Sequence, residues 1–139
     1  MLISEAIEHV KAYCNGHNPD GSPIDPIKMR DQVLYGEVDR ECTGIVTCIW
    51  ASVDVIREAA AHGANLIISH EALFWNHGDH TDWLEEQHND VFLAKRALLD
   101  EHGICVWRFH DYIHSGVPAR LFGGWRVQGL SEARPDEGW

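Results

Sequence analysis

GIVTCIWASVDVIREAAAHGANLIISHE, Gly44 to Glu71, contains the pattern that decides the fold. Gly44 to Trp50 is rich in β-branched residues and reads as a strand. Ser52 is placed to cap a helix whose apolar residues Val55, Ile56, Ala59 and Ala60 recur at helical spacing as far as His62, and Gly63 is a natural residue to end it. Leu66 to Ser69 is the next strand. A crossover of this length joins parallel strands, and runs that are apolar at successive positions suit strands covered on both faces. The stretch is therefore a βαβ unit.

The pattern repeats downstream. Asn89 or Asp90 caps a helix to His102, Gly103 stops it, and Ile104 to Phe109 forms a third strand. Upstream, Ser4 is expected to cap a helix to about Cys14, ended by Asn15-Gly16. His17 to Met29, with three prolines and a glycine, is an irregular connection before Asp31 to Gly36. The predicted architecture is a single α/β domain over residues 1–139, a largely parallel sheet of right-handed βαβ units with helices on both faces. Beyond Gly116 the signal weakens, with a Gly-Gly turn at Gly123 and an irregular end.

Composition narrows the function. The chain has 139 residues, 45% hydrophobic and 24% charged, with a net charge of −11. That charge argues against nucleic-acid and anionic-membrane surfaces, which need clustered Lys and Arg. No apolar run approaches the roughly 20 residues that span a bilayer, and MLISEAIEHVK lacks a signal peptide's order, so the expected location is cytoplasmic. Cys14, Cys42, Cys48 and Cys105 form no CxxC pair and are expected to be reduced thiols, Cys48 and Cys105 serving as strand filler.

Ten histidines stand out, seven of them from His70 to His114. His70 and Glu71 follow the second strand, and His110, Asp111 and His114 follow the third. In an open α/β sheet, the carboxyl ends of the strands are where ligands bind. Imidazole with carboxylate at such an edge suits Zn²⁺, Fe²⁺, Mn²⁺ or Ni²⁺. The segment between, Trp75 to Trp83 (WNHGDHTDW), reads as a lid or substrate loop in which His77 and His80 are idle imidazoles on a turn, and Trp75 and Trp83 pin the loop to the core. Asp25, Asp31 and Glu37 support the site only if the N-terminal loop folds over it. Phosphate-binding glycine loops, the GxSxG elbow and HExxH are absent.

On these residues the chain resembles the Nif-three-like dinuclear metal-centre family, also called GTP cyclohydrolase 1 type 2-like proteins. DQVLYG (Asp31 to Gly36) matches a family segment, and Ser69-His70-Glu71-Ala72 stands where the family has Ser-His-His-Pro after a strand. His110 and His114 match a later His followed four residues on by Asp. The resemblance implies His70 as a metal ligand, Glu71 in place of a second His, and His114 in place of a bridging Asp, giving a metal set of His70, Glu71 and His114. His110 then serves proton transfer as the catalytic residue. It also implies one or two divalent ions per subunit, a small-molecule substrate and a homo-oligomer, commonly a hexameric ring. The family's second α/β half, which supplies a further His and Glu, has no counterpart after Gly116.

The expected function is metal-dependent hydrolysis, with a GTP cyclohydrolase-like or phosphoester substrate. The alternatives are a non-catalytic protein for metal trafficking or regulation, and an oligomerisation scaffold that holds no metal.

Overall fold

The computed structural model describes residues 1–14, 21–25, 29–75 and 79–114. Within them the elements are α1 (Ile3–Cys14), β1 (Val33–Tyr35), β2 (Ile45–Cys48), α2 (Val53–Ala61), β3 (Leu66–Ser69), α3 (Asp82–Glu86), α4 (Asp90–His102) and β4 (Cys105–Arg108). The four strands form one sheet in the order β1-β4-β3-β2. β2, β3 and β4 are parallel, with Ile45 opposite Leu66 and Leu66 opposite Cys105, and β1 runs antiparallel to β4. The expected Asn15-Gly16 helix end, His77, and everything from Ser115 onward lie outside the described residues.

The βαβ reading holds in detail. Ser52 Oγ accepts a hydrogen bond from Val55 N at 3.2 Å, and Gly63, with φ +69°, closes α2 while Ala64 N donates to Ala59 O at 2.9 Å. α4 is built alike: Asn89 Oδ1 accepts from Phe92 N at 3.0 Å, Gly103 has φ +57°, and Ile104 N donates to Leu99 O at 2.9 Å. In both helices an extended or left-handed residue at each end satisfies backbone groups that the helix itself leaves unpaired.

Helices cover both faces of β3 and β4. Ile67 and Val106 pack with Ile56, Ala59 and Leu99 of α2 and α4. Leu66 and Trp107 point the other way, onto Ile3, Ala6 and Ile7 of α1. Every residue of β3 and β4 is buried as a result. β2 departs from the expectation of two covered faces: Val46 and Cys48 pack inward, but Ile45 and Ile49 are 46% and 57% exposed. It is the edge strand, and α1 packs over β3 and β4 without reaching it.

Three other expectations change. α1 begins at Ile3, so Ser4 is inside it and not its cap; Leu2 N donates instead to Glu5 Oε2 at 2.8 Å, the backward half of a capping box. Asp31 to Gly36, to which the sequence reading assigned no element, contains the strand β1. Trp75 is 52% exposed and packs edge-to-face on Trp83 at 4.9 Å, so the two rings hold each other and not the core. The loop is held by Asp79, whose carboxylate accepts from Leu73, Phe74 and Trp75 N at 2.8–3.0 Å, and by the Lys95 ammonium on the Leu73 carbonyl.

Gly36 ends β1 at φ +84°, and a Cβ there would lie 2.8 Å from both Cys105 Cα and Ile104 O. Those atoms are backbone of the central sheet and cannot move aside. Gly36→Ala is expected to cost about 3 kcal/mol, combining left-handed strain with overpacking, read as a lower denaturation midpoint.

Candidate metal centre

Strand pairing continues past the end of β3 and delivers its next residues to the sheet edge. His70 N donates to Cys48 O at 3.0 Å and Glu71 N to Ile49 O at 2.9 Å, while Phe109 N bonds Ser69 O at 2.8 Å. The turn after β3 is tightened by Ser69, fully buried, whose Oγ lies 3.2 Å from Ile49 O and 3.0 Å from Glu71 O. His70 thus leaves a rigid strand beside the residues that leave β4.

Those residues are placed by Asp31. Its Oδ1 accepts from His110 N at 2.6 Å and Asp111 N at 2.7 Å, and its Oδ2 from Tyr112 N at 2.9 Å. One carboxylate, on the segment entering β1, therefore fixes the turn that carries His110 and His114. Arg108 N donates to Gln32 O at 2.8 Å and locks the same two segments together. Burial pushes the Asp31 carboxyl above the ordinary carboxylate range, and the three backbone N–H groups pull it partly back.

Three imidazoles converge. Each of His70, His110 and His114 offers a nitrogen, and these atoms all lie within 4.8 Å of one another. The rings of His70 and His110 stack at 4.6 Å and 12°, and His114 stands edge-on to both at 5.1 and 5.2 Å. His70 Nδ1 is 3.1 Å from the Phe109 carbonyl and His110 Nδ1 is 3.1 Å from Asp111 Oδ1. An acceptor at Nδ1 selects the tautomer with its proton there, leaving the Nε2 lone pair of both rings for a metal. Asp111 is itself steadied, its Oδ2 accepting from Arg30 N.

The donor set fits a borderline divalent ion. Zinc–nitrogen bonds of about 2.0–2.1 Å in tetrahedral geometry set ligand atoms roughly 3.4 Å apart, so the three rings must draw together to share one ion. Burial, followed by the neighbouring His70 and His110, holds the His114 imidazole below the usual histidine range, against the pull of Asp111 and Asp31. A lowered value keeps that ring neutral and able to ligate at a lower pH.

Residues 31–111, more than half of the chain, match the family model for Duf34/NIF3 (NGG1p interacting factor 3). The chain belongs to this family. Duf34/NIF3 membership agrees with the solved structures that share the fold. Protein SA1388 of Staphylococcus aureus is 24% identical with a TM-score of 0.58, and 81% of this chain covers 29% of that one. Reduced HcgD from Methanocaldococcus jannaschii is 19% identical with a TM-score of 0.54, 81% of this chain covering 41% of that one. The chain thus spans less than half the length of either. No curated protein matches it by sequence.

The structure brings together His70, His110 and His114. Glu71 stands at the rim: its Oε1 is 3.9 Å from His70 Nε2, but its Oε2 pairs at 3.3 Å with Arg108. Arg108 is fully buried and also donates from Nε to the His70 carbonyl at 3.3 Å. His80 and Glu37 are exposed and outside the cluster. Asp31 and Arg108 are the supporting residues that sequence reasoning undervalued. The signal for Arg108 was visible, a lone cation inside the apolar run ICVWRF. All four cysteines are free, and burial pushes the Cys105 thiol up to about 11, in keeping with core filler. Among the described residues, no helix is long and apolar enough to cross a membrane.

Proposed function

We propose that this chain, acting as one α/β unit over residues 1–139, is a divalent-metal protein whose centre is His70, His110 and His114, and that it hydrolyses a small-molecule substrate. The observation that carries the reading is the convergence of three imidazoles, two of them oriented by acceptors at Nδ1. His70, His110 and His114 would hold the ion, which when bound would supply polarisation of a substrate oxygen and a lowering of the pKa of water from 15.7 toward about 7.

The chain's own groups supply the rest. Glu71 is anchored by Arg108 through one oxygen while the other faces His70, a position from which it accepts a proton from attacking water. This reverses two roles drawn from the resemblance: His110 becomes a ligand and Glu71 the proton acceptor. A GTP cyclohydrolase-like or phosphoester substrate remains within the proposal, as do the choice among Zn, Fe, Mn and Ni, the count of one or two ions, and a homo-oligomer, to be measured by light scattering.

The second reading is metal storage or delivery without catalysis, favoured by the exposure of His114, which leaves an ion accessible for transfer. Purification of the untagged full chain, metal analysis, and assay of the zinc-loaded protein against ester, phosphoester and cyclic amidine substrates separate the two. Turnover abolished by His70→Ala supports hydrolysis. Tight metal binding with no turnover supports delivery, and no metal uptake at all rejects both.

A further inference from the structure

The face of the sheet that α1 leaves uncovered is not featureless. Thr47 and Ile49 lie on it, and beside them a groove of about 480 Å³ runs to His70 of the three-imidazole cluster. Thr47, Cys48, Ile49, Ile68, Phe109 and Ile113 wall it, and His70 belongs both to the groove and to the three-imidazole cluster. Its volume lies in the range of small-molecule sites, which are concave, mostly apolar and supplied with a few convergent polar groups.

Charge decides what the groove takes. No Lys or Arg is among its lining residues, and Arg108, the buried cation of the site, is engaged by Glu71 and the His70 carbonyl. A phosphate or carboxylate placed there would lose hydration without gaining a cation, in a chain whose net charge is −11. An uncharged apolar or aromatic group would lose nothing and would bury its surface against three isoleucines and a phenylalanine.

We propose that this groove is the selecting arm of the site, taking an uncharged apolar or aromatic portion of the molecule whose polar end meets His70, His110 and His114. The polar end rests on the metal-centre reading; the groove is tested without it.

The isoleucines report directly. In the full chain carrying ¹³C-labelled isoleucine methyls, Ile49 and Ile113 line the groove and Ile68 is shared between it and the core under α1, whereas Ile3, Ile7 and Ile56 lie in the two cores alone and serve as controls. Benzamide, titrated into metal-free and zinc-loaded protein, is expected to shift the three groove methyls saturably in both. In the metal-free protein it should bind at least about tenfold more tightly than phenyl phosphate, which carries the same ring with charge. Ile49→Glu, at an exposed position, should weaken benzamide by about fivefold or more with the core methyls unmoved.

Absent groove shifts, or equal binding of phenyl phosphate to the metal-free protein, overturn the proposal. So does a concentration-dependent shift of the groove methyls that benzamide cannot reverse, which assigns the groove to a second copy of the chain. Benzamide shifts in a protein that takes up no zinc uphold the groove while the metal reading falls. Zinc uptake with no benzamide shift has the opposite meaning.

Discussion

Asp31→Ala is expected to disperse the three-imidazole cluster and to lower folding stability by about 3–5 kcal/mol, the largest loss among single substitutions around the site. The carboxylate is 9% exposed and accepts three successive backbone N–H groups, from His110, Asp111 and Tyr112. Each buried donor left without a partner costs about 1–3 kcal/mol, and water entering the space recovers part of the sum. Asp31→Asn makes the test sharper. Its amide oxygen still serves His110 and Asp111 N, but its NH₂ then faces Tyr112 N, donor against donor, so a cost of about 1–3 kcal/mol is expected. Urea denaturation reads the stability and calorimetric zinc titration reads the centre. Wild-type values for the alanine variant on both would show that something else holds the turn. The pH dependence has a definite sign: burial raises the Asp31 pKa in the folded chain, which then binds its proton more tightly than the unfolded chain does. Stability present below the ordinary carboxylate range is therefore lost as pH rises through the raised folded value, and Asp31→Asn removes that slope.

The importance of Asp31 was hard to see from sequence for a physical reason that applies to much of the site. Periodicity and capping are local, and they located α2, β3, α4 and β4 to within a residue or two because Ser52, Gly63, Asn89 and Gly103 act on backbone groups three to five residues away. Asp31 acts across 79 to 81 residues of sequence, and only the antiparallel pairing of β1 with β4 brings it to the turn. That pairing was itself obscure, since β1 is three residues long and has no face with a repeating pattern. Edge status is equally non-local: GIVTCIW and ANLIIS look alike in composition, yet β3 is buried at every position and β2 at none, because coverage depends on where α1 docks. His70 and His114 were legible because strand ends in a parallel sheet share an edge whatever the loops do. The trio's third member, His110, was placed at the same edge and read as a proton-transfer residue; its spacing to the other two rings does not follow from spacing along a turn.

Glu71 is the residue on which the resemblance and the geometry give different expectations, and alanine and amide substitutions separate them. If the centre is the three imidazoles, His70→Ala, His110→Ala and His114→Ala each weaken zinc binding by more than about 100-fold, beyond the 10–100-fold typical of residues that only support a ligand. Glu71→Gln then changes zinc affinity by less than about threefold, because its Oε2 is held by Arg108 and its Oε1 stands 3.9 Å from His70 Nε2, outside the trio. The same substitution should nevertheless lower kcat by about 10²–10⁴-fold in any hydrolytic assay, the range expected for loss of a proton acceptor. A ligand role for Glu71 predicts the reverse order, with affinity lost in Glu71→Gln and largely kept in His110→Ala. Arg108 sets the background for this comparison. Its guanidinium is wholly buried, and Glu71→Gln takes away the carboxylate charge opposite it, so part of any stability loss belongs to the broken pair and not to the metal site. Zinc affinity measured by competition against a chromophoric chelator, under conditions where each variant is fully folded, removes that contribution. An affinity loss in Glu71→Gln that persists in folded protein would make the carboxylate a ligand and return His110 to proton transfer.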